Sequence, residues 1–303
     1  MVFAPAPQLT VTVEAQADAV ELHVHPGGQG VWQARMIASL GGSVALCVAV
    51  GGEVGQVLRM LLDGEGVTVR AVERQASTGW YVHDRRDGVR KPVAEDPGAP
   101  LVRHDIDELY GVALAEGLRA GVSVLSGPAD PAVVDADVYR RLAADLAAAG
   151  GGKVVADLSG PHLAAVLSGG VSFLKVGHDE LIDDGRAADD SVPALAAAAR
   201  QLRAEGAGAV LVSRAEKPAL ALLEDRVTEV RVPRLQVVEH RGAGDSMTAA
   251  VATVLARGGS LDEAVRTGAA AGALNVTRHG LGTGQADAID ELVDHVTMSP
   301  VDG

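Results

Sequence analysis

The stretch "EHRGAGDSMTAA" (239–250) sets three small residues, Gly242, Ala243 and Gly244, before one acid, Asp245, and a run that reads as helix. Just upstream, "RLQVVEH" (234–240) has the look of a strand. A strand that passes through a glycine turn into a helix is a repeating joint of α/β architecture. The turn leaves several backbone N–H groups unpaired at the helix start, a place that binds phosphate or developing negative charge. A turn alone needs only the glycines. On local chemistry the carboxylate of Asp245 has two readings, a helix cap or a general base beside an anion site.

The same alternation runs through most of the chain. "SVALCVAV" (43–50), "VSVLSG" (122–127), "KVVADLS" (153–159), "VSFLKV" (171–176) and "AVLVSR" (209–214) predict buried parallel strands. Helices are expected over 131–150, 192–206, 244–259, 261–275 and 285–296; the first starts near Pro131 and stops at Gly150. The small residues Ala269 to Gly272 suit close helix packing. The pattern implies an open, doubly wound sheet with ligands at the carboxyl ends of its strands. Residues 8–25 and 78–95 depart from it: they alternate apolar and polar residues, and Asp87-Gly88 marks a turn in the second. Such half-exposed strands predict either a small separate sheet acting as a lid or an edge extension of the main one. A second glycine turn, "PGGQGVWQARMIASLGG" (26–42), opens a further helix, where Gly27, Gly28 and Gly30 would admit a ligand to the backbone. "GGEVG" (51–55) lacks the spacing of a dinucleotide site and reads as a turn only.

Bulk composition narrows the function. With 303 residues, the chain is long enough for a substantial core, and 48% hydrophobic against 2% aromatic content means that core is aliphatic. A formal charge of −14 argues against nucleic acid and anionic membranes as partners, while leaving a small phosphorylated ligand open. The single cysteine, Cys47, lies in an apolar run and reads as a buried, inert thiol. No leader-like N-terminus and no apolar run of membrane length is present, so a soluble, cytoplasmic protein is expected.

Several motifs in order carry a resemblance. "RGAGDSMTA" resembles the C-terminal signature of the PfkB-type, ribokinase-like carbohydrate kinases, and "GGQGVWQARMIASLGG" their N-terminal signature. "FLKVGHDEL" (173–181), "AVLVSRAEKPALAL" and "AGALNVTRHGLGTG" are similar to three further family segments, and the order holds over nearly the whole chain. The details lean towards the 1-phosphofructokinase and tagatose-6-phosphate kinase branch. The resemblance implies one kinase domain over 1–303, a three-layer α/β sandwich with a mostly parallel sheet and a small β-sheet lid. It implies ATP as donor, Mg2+ and a candidate K+ as cofactors, a sugar or sugar-phosphate hydroxyl as acceptor, and a homodimer through the lid. Asp245 would be the base and Gly242, Ala243 and Gly244 the anion hole. Glu180 would act through magnesium, with Lys175 beside it, and Ser213 and Asn275 would border the nucleotide. Thr10, Gly27, Gly28, Gln29 and Trp32 would line the acceptor.

The acceptor wall departs from the family pattern. Ala6 and Thr10 stand at an asparagine and an aspartate, Gln29 at the signature lysine and Trp32 at a sugar-binding asparagine. Gly79 takes the place of a lid arginine, Gly177 of the asparagine of the magnesium motif, Arg214 and Pro218 of glycines, and Glu239 of a common aspartate. Trp32 reads equally as a stacking face or as core packing. His25, His83, Arg85, Arg86 and Lys91 are candidates for a replacement cationic contact, or are solvated strand faces. Three function readings follow: a kinase for an alcohol on a carbohydrate-like molecule, a catalytically weak binding protein on the same fold, and a nucleoside kinase.

Overall fold

The protein is described here by a computed structural model, over residues 1–16, 19–150, 152–238, 241–277, 282 and 284–301. The chain opens with β1 (Val2–Phe3), β2 (Gln8–Gln16), β3 (Ala19–Gly27) and α1 (Gln29–Ser39). Then come β4 (Ala45–Gly51), α2 (Gly52–Leu62), β5 (Thr68–Arg74), β6 (Thr78–Asp84), β7 (Lys91–Gly98) and α3 (Arg103–Gly117). The middle holds β8 (Val122–Ser126), α4 (Ala136–Ala148), β9 (Lys153–Asp157), α5 (Gly160–Gly169), β10 (Val171–Gly177), α6 (His178–Asp183) and α7 (Val192–Glu205). It ends with β11 (Ala207–Arg214), β12 (Lys217–Leu223), β13 (Arg226–Arg231), α8 (Ala243–Ala256), α9 (Leu261–Asn275), α10 (Ala286–Val293) and β14 (Thr297–Pro300).

Ten strands form the main sheet in the order β14-β13-β12-β11-β10-β9-β8-β1-β4-β5. From β5 to β11 every pairing is parallel, and β11 to β14 are antiparallel. Its strands read as unbroken apolar runs because both faces are covered. Val154, Ala156, Leu174 and Val176 pack with Leu142, Leu163 and Leu202 of α4, α5 and α7. Val155, Phe173, Ala209 and Leu211 face the other way, onto Met36, Val251 and Val265 of α1, α8 and α9. The result is the expected three-layer α/β sandwich. The sheet grows outward in both directions from the β1/β8 junction, so a crevice is expected at the carboxyl ends of those strands.

The segments expected to break the pattern form a separate four-stranded sheet, order β3-β2-β6-β7, and the edge-extension alternative falls away. Its register sorts the side chains. Gln8, Thr10 and Thr12 sit opposite Gly79, Tyr81 and His83 on one face, and Val11 and Val13 lie on the other. Cys47 is buried, and that burial pushes its thiol up to about 12, as an inert core residue requires.

Three local expectations need correction. "GGEVG" is more than a turn: Gly51 ends β4 and Gly52 starts α2 directly. The helix expected over 131–150 is interrupted, because Asp130 caps a single 3-10 turn (Pro131–Val133) and Asp135 then caps α4. Val133 and Val134, both buried, occupy the break. The strand expected over 234–240 is absent among its described residues, 234–238.

Candidate active site

Helix α8 begins at the opening stretch. Its N-cap is Gly242, in the left-handed region (φ 74°), and no side chain caps the first turn. Asp245 is therefore not the helix cap; it lies inside the first turn with its carboxyl group buried. The leading N–H groups of α8 have no acceptor within the helix. One further helix, α9, holds this end in position. Asn275, at the end of α9, donates from Nδ2 to the Arg241 carbonyl (2.6 Å) and accepts from Ser246 Oγ (3.1 Å). Gly268 and Gly272 let α9 approach Met247 and the Ala243 carbonyl closely, so the small-residue stretch serves packing.

The carboxyl ends of the central strands meet α8 here. Asp157 closes β9, and its carboxylate accepts from Gln33 Nε2 (3.0 Å), Thr248 Oγ1 (2.8 Å) and Lys175 Nζ (3.3 Å). Gln33 Nε2 also reaches Asp245 Oδ1 at 3.4 Å. A Cβ at position 244 would overlap Lys175 Nζ, so glycine there is what lets the ammonium lie under the turn. Burial pushes Asp245 up to about 7 and Asp157 adds to the shift, while Lys175 and Gln33 pull against it. Burial opposes the charge of Lys175, yet Asp157, Glu180 and Asp245 together hold it at about 12. Glu180 is raised by burial, and its Oε2 accepts from the Gly177 amide (2.6 Å).

Facing this corner is the wall formed by the N-terminus of α1 and one face of the small sheet. Gln29 Oε1 accepts from the Gly127 amide at 2.7 Å. Thr10 and Tyr81 sit side by side in the β2–β6 register, and both flank Gly27. Their hydroxyls are buried and unpartnered among the described residues. Burial, with Arg90, Arg241 and Arg85 around it, holds His83 at about 4 and thus neutral; Arg90 Nε donates to it (2.8 Å) and stacks over Tyr81.

A model of the pfkB family of carbohydrate kinases matches residues 4–288. The chain belongs to the pfkB family. Relatives of this kinase include the ATP-dependent 6-phosphofructokinase isozyme 2 of Mycobacterium tuberculosis, 32% identical over 275 residues, covering 89% of this chain and 79% of the relative. The isozyme 2 of Escherichia coli is 32% identical over 262 residues, 84% of this chain and 82% of its own. Among solved structures, the E. coli phosphofructokinase-2 in complex with potassium superposes with a TM-score of 0.86 at 28% identity, with 97% of each chain covered. The same enzyme in complex with fructose-6-phosphate gives 0.81 over the same shares.

Within this pfkB kinase, the site residues expected from sequence divide into three sets. Asp245, Gly242, Ala243, Gly244, Lys175 and Glu180 gather at the α8 corner. Thr10, Gly27, Gly28 and Gln29 gather at the wall, and Trp32 is half-buried one turn into α1. Asn275 braces the turn through Arg241 and Ser246, and Ser213 lies level with Gly177 at the end of β11. Glu239 lies outside the described residues.

Some substitutions have physical consequences that the sequence hid. Position 79 is sealed, since a Cβ there would meet the Pro97 carbonyl at 2.5 Å. The left-handed turn residue after β11 is Ala215 (φ 49°) rather than Arg214 or Pro218. Arg214 is instead buried, donating to the carbonyls of Asp190 (2.8 Å) and Pro218 (3.2 Å). Of the lid cations, Arg86 and Lys91 pair with Asp84 and Asp87, and Arg85 with Glu14. Arg90 is the one beside Tyr81 and His83. Sequence reasoning also missed Asp157, Gln33, Ser126, Thr248 and Tyr81. The available signal for Gln33 was a second glutamine one turn after Gln29, on the same side of α1.

No group of three His, Cys, Asp or Glu side chains converges on a metal position among the described residues. Nor is any helix among them long and apolar enough to cross a membrane.

Proposed function

We propose that this carbohydrate kinase transfers the γ-phosphoryl group of ATP to an alcohol of a phosphorylated sugar. In this reading it is one kinase domain over 1–303 with the small sheet as its lid. The observation that carries it is Asp245: a buried carboxyl group balanced near neutrality, in the first turn of a helix whose leading amides are open. A general base works best when its pKa lies near the working pH. The acceptor hydroxyl would lie against Asp245, which takes its proton as the oxygen attacks phosphorus and ADP leaves. The amides of the Gly242–Gly244 turn and the Lys175 ammonium would stabilise charge on the transferring group.

The residues present fit a magnesium ion held through water. Glu180 is one carboxylate near the phosphate-binding end, and Mg2+ commonly takes one or two carboxylates and keeps its waters. The ion would supply charge neutralisation on the phosphates. Potassium is a candidate because the E. coli relative binds it. On the acceptor side, Thr10 and Tyr81 hydroxyls would hydrogen-bond sugar hydroxyls, and Arg90 supports an anionic substituent. Position 79 supplies no arginine for that task.

One observation favours a second reading, a catalytically weak binding protein: the Glu180 carboxylate is folded onto the amide of Gly177, where the family pattern has asparagine. Assay of the purified protein with ATP and Mg2+ against fructose 6-phosphate, fructose 1-phosphate, tagatose 6-phosphate, free sugars and nucleosides separates the readings. Turnover with a sugar phosphate is expected; clear ligand binding without turnover on any acceptor supports the second, and preference for a nucleoside supports a nucleoside kinase.

We also propose a homodimer through the outer face of the lid. Val20 and Leu22 are each 64% exposed and Val93 62%, a broad apolar surface for a monomer to leave in water. Leu22→Glu should convert the dimer to monomer in sedimentation; a parent protein that sediments as a monomer ends this proposal.

A further inference from the structure

Gln33 is fully buried on α1, a polar side chain with no access to bulk water. Its Oε1 accepts the Ser126 hydroxyl, which closes β8, at 2.5 Å. That leaves the two hydrogens of Nε2 for two carboxyl groups, Asp157 Oδ2 at 3.0 Å and Asp245 Oδ1 at 3.4 Å. The amide has one workable orientation: flipped, its oxygen would face both acids. Asp157 has Thr248 and Lys175 as further donors. For Asp245, Gln33 is the one side-chain hydrogen-bond donor among the described residues.

We propose that Gln33 is a positioning residue for phosphoryl transfer, clamping the Asp245 carboxylate against Asp157 in the orientation that meets the acceptor hydroxyl. This rests on the reading of Asp245 as general base. The charged groups around Asp245 are Asp157 on β9, Lys175 on β10 and Glu180 on α6. Two of these disfavour its charged form and only Lys175 favours it, so the N–H from Gln33 offsets part of the repulsion. Without that donor, Asp245 holds its proton to higher pH, and its oxygens are freer to turn away from the acceptor.

The test replaces Gln33 by methionine, of nearly the same length but without a donor. Asp245 is followed by carbon NMR of protein labelled at aspartate, with the signal assigned through Asp245→Asn; this needs no acceptor. Gln33→Met should raise the Asp245 midpoint by about half to one pH unit, the scale of one long charge-assisted hydrogen bond. With fructose 6-phosphate as acceptor, the acid limb of kcat should move with it. The plateau kcat should fall about tenfold, with the KM for ATP little changed. Ser126→Ala, a smaller change that only frees the amide to rotate, should shift the midpoint in the same direction by less. It decides the matter if Gln33→Met does not fold. A lowered Tm with an unmoved midpoint and pH profile would make Gln33 mere packing and overturn the inference, leaving the base reading intact. Full turnover by Asp245→Asn would instead remove the base reading and leave the titration result standing.

Discussion

The α8 corner and the wall built by α1 and the small sheet differ in how their polar groups are partnered. At the corner the buried polar side chains interlock: Asp157 takes three donors, Gln33 serves two acids and Ser126, and Asn275 ties the turn to α9. At the wall, the hydroxyls of Thr10 and Tyr81 are buried with no protein partner among the described residues. A buried polar group left unmatched costs about 1–3 kcal/mol, so a fold tolerates two side by side only where a ligand or water completes them. The corner is internally satisfied, whereas the wall leaves two hydroxyls to be matched from outside the protein.

The sharpest way to break this contrast is Asp245→Asn. Turnover should fall by roughly 10²–10⁴-fold or more, the usual worth of a general base, while calorimetric ATP affinity stays within a few-fold. The same variant has a stability signature. The folded state raises the carboxyl pKa to about 7, above its ordinary value, so it favours the folded state below the unfolded pKa and that contribution is lost as pH rises through 7. The gain in Tm of the variant over the parent should therefore be larger at pH 8 than at pH 5. Next in size is Gly244→Ala, whose methyl group would displace the Lys175 ammonium from under the turn. A ten- to hundredfold drop in kcat is expected, of the order produced by misplacing one charged group. Unaltered kinetics would show that Lys175 yields without consequence.

The smallest effect belongs to the wall. Tyr81→Phe removes one unmatched hydroxyl, so Tm should hold or rise, while the acceptor KM rises about fivefold, the value of one hydrogen bond. A fall in Tm with an unchanged KM would move Tyr81 to the structural side of the comparison.

How much of this was legible beforehand follows from the range of each interaction. The β–α alternation, the two lid segments and the Gly242–Asp245 turn were visible because each is a local pattern of burial or backbone freedom. The reading of Asp245 as a base rather than a cap came from the order of motifs, not from the turn. Asp157 ended a predicted strand unremarked, because nothing nearby in sequence says that it will face Gln33 and Lys175. Arg86 and Lys91 were read as candidates for the acceptor wall and Arg90 was not; pairing with Asp84 and Asp87 takes the first two up, and Arg90 is the cation beside Tyr81 and His83.

The sequence by itself determined the layered α/β architecture and the chemistry available at the start of α8, since apolar periodicity and glycine placement act over a few residues. Only the tertiary structure decided which polar groups meet. Gln33 comes to Asp245 across 212 positions, and Tyr81 comes beside Thr10 through a parallel pairing between distant strands. Such contacts depend on where whole elements pack, and it is burial at those meeting points that sets the proton equilibrium of Asp245 and leaves the two hydroxyls of the wall without partners.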